Sequence, residues 1–279
     1  MPSTTISRQT DSDQASSIRA GLASSRPVAD QPPSVPLIRL VRAEFRKLTD
    51  TRSGFWLLIV IALGAVAGTI TTAALWDELA GMLGDWTTGD ALISFVPTML
   101  LPVLAILLVT SEWSTRSALT TFTMEPRRGR VMAAKAIVVI ATTVVFWLGC
   151  RGLTALSALL GGAMHAGAPV SWQVDWAATA GDLASTVLTV AMGLTLAMLF
   201  GSAAVSIVVY MAQPLMTSTL ALIPGLATAM QWASANNMSL LASGAMTGEA
   251  WARVAVSAGI WIVIPAVAGT VLSIRREIK

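Results

Sequence analysis

Arg151 and Asp182 are ionised side chains set inside long apolar runs, and they define the chemistry this sequence can do. An arginine at the centre of a membrane helix costs about 2.5–3.5 kcal/mol on insertion scales, so it needs a partner. Arg151 lies about 15 residues into its run, roughly 22 Å up at 1.5 Å per residue, and Asp182 about five residues into the next. Two runs joined by a short connection should pack as antiparallel neighbours. A structural Arg151–Asp182 pair pinning the two runs is therefore expected, with substrate recognition the lesser role. Covalent chemistry has no comparable support. Cys150 is the one cysteine, which excludes an internal disulfide and a cysteine-based zinc site. His165 is the one histidine, so no H-E-x-x-H pair exists, and no G-x-x-x-x-G-K-[ST] occurs to hold ATP. No nucleophile with its base and no carboxylate pair falls within an apolar run. We expect no catalytic residue and no metal ligand.

The elements that position these charges are membrane spans. Hydrophobic residues make up 54% of the chain and charged ones 12%, about half the ~25% charge of a soluble domain. Mean hydropathy is +0.70. Six apolar runs match the ~20 residues a bilayer requires, at about 55–75, 91–109, 136–160, 177–200, 203–223 and 254–272. The fold class expected is an all-α integral membrane protein with six transmembrane helices and an N-terminal amphipathic interfacial helix. Residues 1–35 are rich in Ser, Thr, Gln, Asp and Pro; they bury too little apolar surface to order and lack the apolar core of a secretory signal. In residues 36–54, Leu37, Val41, Phe45 and Leu48 recur on one helical face beside Arg39, Arg42 and Arg46, suited to the headgroup layer and its anionic lipid.

Small residues mark close helix packing: Gly64 and Gly68 at GxxxG spacing in the first run, Gly193 and Ala197 in the fourth. Pro97 and Pro102 interrupt the backbone ladder of the second run, and Gln213 and Pro214 stand in the middle of the fifth. Residues 224–253 are too polar for one span and are expected to form short helices at the outer surface.

Orientation follows from the basic residues. Eight lie in 1–54, five in 111–135 and three in the tail, sixteen of the 18. That side should be cytoplasmic, with both termini inside and the chain multi-pass in the cell membrane. Trp76, Trp86, Trp172, Trp176, Trp232 and Trp251 fall near the opposite face, as an interfacial belt would. The net charge of +3 does not indicate nucleic-acid binding, because the basic residues gather at the ends of apolar runs.

Residues 111–135 read SEWSTRSALTTFTMEPRRGRVMAAK, a polar stretch too elaborate for a connector. Ser-Glu-Trp, a Thr/Leu-rich segment, then Pro-Arg-Arg-Gly-Arg and a Lys before an apolar helix resembles the ABC-2 type transporter permeases. The opening RLVRAEFRKLTDTRSGFWLL resembles the start of the same family, and with the span spacing the similarity covers roughly residues 37–279. The resemblance implies a permease subunit of an exporter, paired with a second permease half, identical or not, and driven by a separate ABC ATPase subunit. ATP and Mg would bind that partner, and this chain would hold no cofactor. It further implies that Glu112, Arg116, Arg127 and Arg128 meet the ATPase, although retention of topology alone would also account for the arginines. The path would be lined mainly by the first, second and fifth spans, with Pro97, Pro102, Gln213 and Thr217 as candidate residues. Such a lining suits a hydrophobic or amphipathic substrate such as a drug, antibiotic, lipid or peptide. Gln213 could equally make a helix–helix hydrogen bond. Two other functions stay open: a non-transporting anchor or assembly subunit, and, ranked last, an ion-coupled transporter, which usually needs several buried carboxylates.

Overall fold

The computed structural model describes residues 36–83, 85–114, 128–164 and 170–275. Among them helix follows helix, and the one β contact is a bridge between Asp85 and Ser171. In chain order the helices are α1 (Leu37–Asp50), α2 (Arg52–Ala74), α3 (Trp76–Leu83), α4 (Asp90–Ser114), α5 (Arg128–Met164), α6 (Trp176–Phe200), α7 (Ala203–Leu220) and α8 (Ala227–Ala233). A 3-10 helix (Ala235–Ser243), α9 (Gly248–Ala258), a π turn (Gly259–Val263) and α10 (Ile264–Arg275) follow among the described residues. Among the described residues six stretches are long and apolar enough to cross a membrane: α2, α4, α5, α6, α7 and the continuous run from α9 through α10. This is the make-up of a multi-pass, all-helical membrane protein.

Two spans differ in extent from the hydropathy reading. α5 has 37 residues, about 55 Å at 1.5 Å per residue, nearly twice the ~30 Å hydrocarbon core. Hydropathy marks its apolar part alone, whereas Met132, Ala133, Ala134 and Lys135 are good helix formers that extend it beyond that part. The last span begins at Gly248 rather than near 254, because the Thr247 hydroxyl caps it by accepting from Ala250 N at 3.2 Å. Before it, residues 227–243 form two short helices.

Glycines set the closest crossings. A Cβ on Gly68 would lie 2.6 Å from the Leu92 carbonyl oxygen, and one on Gly64 would strike the Val96 side chain. α2 therefore lies backbone-close against α4. On the other flank of α4, a Cβ on Gly193 of α6 would lie 2.7 Å from the Pro102 carbonyl oxygen. Ala197, one turn on, is fully buried against Ile106 and Val109. α4 is thus the central element, held by small residues on both sides.

Pro102 does not break it, because the carbonyl it frees finds a donor from another helix. Pro102 has no N–H for Thr98 O, which accepts from the Tyr210 hydroxyl of α7 at 3.4 Å. In the last span Pro265 frees Trp261 O, which accepts from Thr195 Oγ1 of α6 at 3.3 Å.

Two expectations about surface residues change. Trp76 and Trp86 are 2% and 9% exposed and pack with Ala158, so they belong to the core and not to an interfacial belt. Trp172, Trp176 and Trp251 are exposed. In α1 the apolar stripe divides: Val41 and Leu48 pack onto α4 and α5 residues of the core, while Leu37 and Phe45 are exposed. The helix turns Glu44 inward instead.

Candidate functional site

Three polar centres stand in the bundle. The first lies at the end of the helices that carries the 85–90 turn. Arg151 Nη2 of α5 donates to Asp182 Oδ2 of α6 at 2.7 Å and to Asp90 Oδ2 of α4 at 2.6 Å. Trp147 Nε1, one turn back on α5, donates to the same Asp182 oxygen at 2.6 Å, and its ring lies 5.4 Å from the Arg151 guanidinium carbon. Thr154 Oγ1 donates to Asp90 Oδ1 at 3.2 Å. The three charged side chains are partly buried, at 15%, 22% and 28% exposure, which strengthens each bond relative to a surface pair. They line a polar cavity of about 400 Å³ with Asp85, Asp175 and Trp86. Local chemistry builds its rim: Asp175 caps α6 through Ala177 N and Ala178 N, and Trp86 Nε1 donates to Gln173 O at 3.0 Å.

The second centre joins α1 to α4 and α5. Lys135 has no exposed surface, and its Nζ donates to Glu44 Oε2 at 2.7 Å and to Leu108 O at 3.2 Å. Lys47 Nζ donates to the other Glu44 oxygen at 2.6 Å. A buried carboxylate and ammonium are tolerable only when paired and hydrogen-bonded in this way.

The third centre is a cavity of about 240 Å³ between α4, α6, α7 and the 3-10 helix. Thr98, Tyr210, Gln213 and Asn236 supply polar groups, and four methionines (Met99, Met192, Met211, Met238) supply most of the apolar wall. Among the described residues no Asp, Glu, Lys, Arg or His lines it. Flexible, polarisable thioethers let such a wall adapt to ligands of different shape.

Set against the sequence, the structure brings Arg151 and Asp182 together. It places Gly64 and Gly68 at the α2–α4 crossing and Gly193 and Ala197 at the α4–α6 crossing. Pro97 and Pro102 both lie inside α4. Gln213 is 2% exposed and lines the third cavity; its amide donates to Thr217 Oγ1 at 3.5 Å in the same helix. Arg116 and Arg127 lie outside the described residues, as do the side chains of Glu112 and Arg128. Asp90 escaped the sequence reading because it looked like part of the loop after the first span, whereas it opens α4. Its signal was an acid in the first turn of an apolar run. Glu44 and Lys135 escaped because each sits in a segment rich in other charges. Among the described residues no group of His, Cys, Asp and Glu side chains is arranged to hold a metal ion.

Compared with known proteins, the chain matches no family model and no curated protein sequence.

Proposed function

We propose that this chain is the permease subunit of an ABC-2 type exporter. With a second permease half it forms a path for a hydrophobic or amphipathic substrate, powered by ATP hydrolysis on a separate ABC ATPase subunit. The observation that carries the reading is the 240 Å³ cavity against α4 and α7, the second and fifth spans. It is walled by methionine, offers Gln213 and Tyr210 as neutral polar groups, and among the described residues takes no charged side chain into its lining, which suits an uncharged or amphipathic solute. In this reading both termini and the 111–135 stretch lie on the cytoplasmic side and the protein resides in the cell membrane. In the same reading α1 lies at the interface with Arg39, Arg42 and Arg46 near anionic headgroups. Glu112, Arg116, Arg127 and Arg128 are the contacts to the ATPase.

The test is purification in mild detergent with identification of what accompanies the chain, followed by reconstitution of the pair. Co-purification of a P-loop ATPase whose turnover rises with an apolar substrate supports the reading. Recovery of the chain with other membrane proteins and no ATPase would favour an anchor subunit. A second reading, ion coupling, gains from Asp90, which adds a membrane carboxylate to Asp182. Both carboxylates are bonded to Arg151, however, which ties up the groups that such coupling would load and unload. Transport abolished by an ionophore and indifferent to ATP would favour it.

A further inference from the structure

Gln213 stands inside α7, is 2% exposed, and lines the third cavity without a full set of partners. Its amide carries two N–H donors and a carbonyl oxygen that accepts. One N–H reaches Thr217 Oγ1, one turn on in the same helix, at 3.5 Å. The Thr217 hydroxyl gives its own proton to the backbone oxygen of Gln213 at 3.1 Å or of Pro214 at 3.2 Å. Towards the amide it can therefore only accept, so the nitrogen of Gln213 is the end that faces it. The side-chain oxygen Oε1 is left with no donor among the described residues. Nor does the side chain bond to another helix there, so joining α7 to a neighbour does not account for it. A buried acceptor of this kind destabilises the fold unless a donor comes from elsewhere, and the cavity is the space that can supply one.

The rest of the wall narrows the chemistry of that donor. Met192 and Met238 are 2% and 1% exposed, whereas Met99 and Met211 are 43% and 40% exposed, so the lining is sealed on one side and reachable on the other. Thioethers are weak acceptors and supply apolar contact. The Tyr210 hydroxyl donates to Thr98 O, and the Asn236 amide is exposed to solvent. An ammonium entering here would leave water with no carboxylate to meet it, since no Asp or Glu lines the cavity among the described residues. A neutral N–H answers the Gln213 oxygen without that cost. The second N–H of Gln213 can in turn donate to a carbonyl, and a carboxamide carries both groups.

We infer that the cavity binds an uncharged, mostly apolar molecule through a carboxamide, and that Gln213 is the residue that selects it. The ligand N–H donates to Gln213 Oε1 while its carbon chain lies against the four methionines. This deepens the exporter reading and rests on it for the ligand being cargo; the binding step involves this chain alone.

The experiment uses the full chain in nanodiscs, without ATP or a partner, and tritiated N-methyldecanamide as the probe, with binding to empty nanodiscs subtracted. Two competitors of nearly the same shape are compared at equal free concentration. Methyl decanoate keeps the carbonyl and lacks the N–H; N-methyldecylammonium carries a charge. Saturable binding is expected, with each competitor at least about tenfold weaker than unlabelled N-methyldecanamide. Gln213→Met, close in shape and apolar, should bring amide and ester to within about twofold of each other. Absence of saturable binding, an ester as effective as the amide, or a preference unchanged in Gln213→Met each overturns the inference. The three probes on the unaltered chain decide the matter even where the variant is poorly recovered. A failure here leaves the exporter reading to its co-purification test, and absence of an ATPase in that test leaves a positive binding result standing.

Discussion

The Tyr210 hydroxyl lies 3.4 Å from Thr98 O, the carbonyl that Pro102 leaves without its usual donor. A proline that would interrupt α4 in isolation thus becomes a contact point between α4 and α7. At this length the bond is weak. Tyr210→Phe should cost less than about 1 kcal/mol of stability, yet widen the motion of α7. Thermal unfolding in detergent and hydrogen exchange over residues 203–220 check the two halves of this expectation. A large loss of stability with unchanged exchange would contradict it.

Arg151 serves two carboxylates, so its removal should be the worst of three single changes. Arg151→Ala leaves Asp90 and Asp182 facing each other without a cation, at an expected cost of about 2–4 kcal/mol, below the full figure for a buried pair because the groups are partly exposed. Asp182→Ala leaves Arg151 bonded to Asp90, and Asp90→Ala leaves it bonded to Asp182, so each should cost about 1–2 kcal/mol. Melting temperatures of the purified variants order the three. Equal losses for all would mean that the guanidinium is not shared.

The second ion centre predicts an asymmetry. Glu44→Ala takes the carboxylate from a fully buried ammonium and should cost about 3–5 kcal/mol. Lys135→Ala leaves Glu44 paired with Lys47 at 2.6 Å, and Lys47 reaches solvent, so its cost should be about 1–2 kcal/mol. Expression level and melting temperature measured side by side decide the order.

Glycines divide by what surrounds them. Gly193→Ala pushes a methyl group against the Pro102 backbone and should cost about 1–3 kcal/mol through overpacking. Gly149 and Gly152 have open space where a Cβ would go; alanine there should be neutral or should stabilise by up to about 1 kcal/mol through helix propensity. The same melting assay distinguishes them. Destabilisation by Gly149→Ala would indicate a close neighbour at that face.

The proposed function carries its own expectations. A cysteine at His165 should react with an impermeant reagent outside intact cells, and one at Arg128 should not. Glu112→Ala, or Arg127→Ala with Arg128→Ala, should leave insertion normal and abolish substrate-stimulated ATP hydrolysis in the reconstituted pair. Full stimulation in both variants at normal protein level would remove these residues from the coupling contact.

Hydropathy and spacing determined by themselves that this is a helical, membrane-type chain with six spans, since a run of apolar residues long enough to cross a bilayer is a local property. They also pointed to Arg151 and Asp182, because a charge in such a run stands out against its neighbours and the short 161–176 connection restricts what it can meet. Gly64, Gly68 and Gly193 were visible for the same reason, as gaps in a row of larger side chains. Only the tertiary structure decided which way each helix turns about its axis. That rotation brought Asp90 to Arg151, turned Glu44 of α1 inward to Lys135 in place of Phe45, and buried Trp76 and Trp86. It also decided that the wall around Gln213 is built of four methionines from three helices and the 3-10 segment, residues up to 139 positions apart whose meeting no local pattern encodes. Lipid exposes apolar side chains as readily as a core buries them, so in a membrane span periodicity alone does not say which face looks inward.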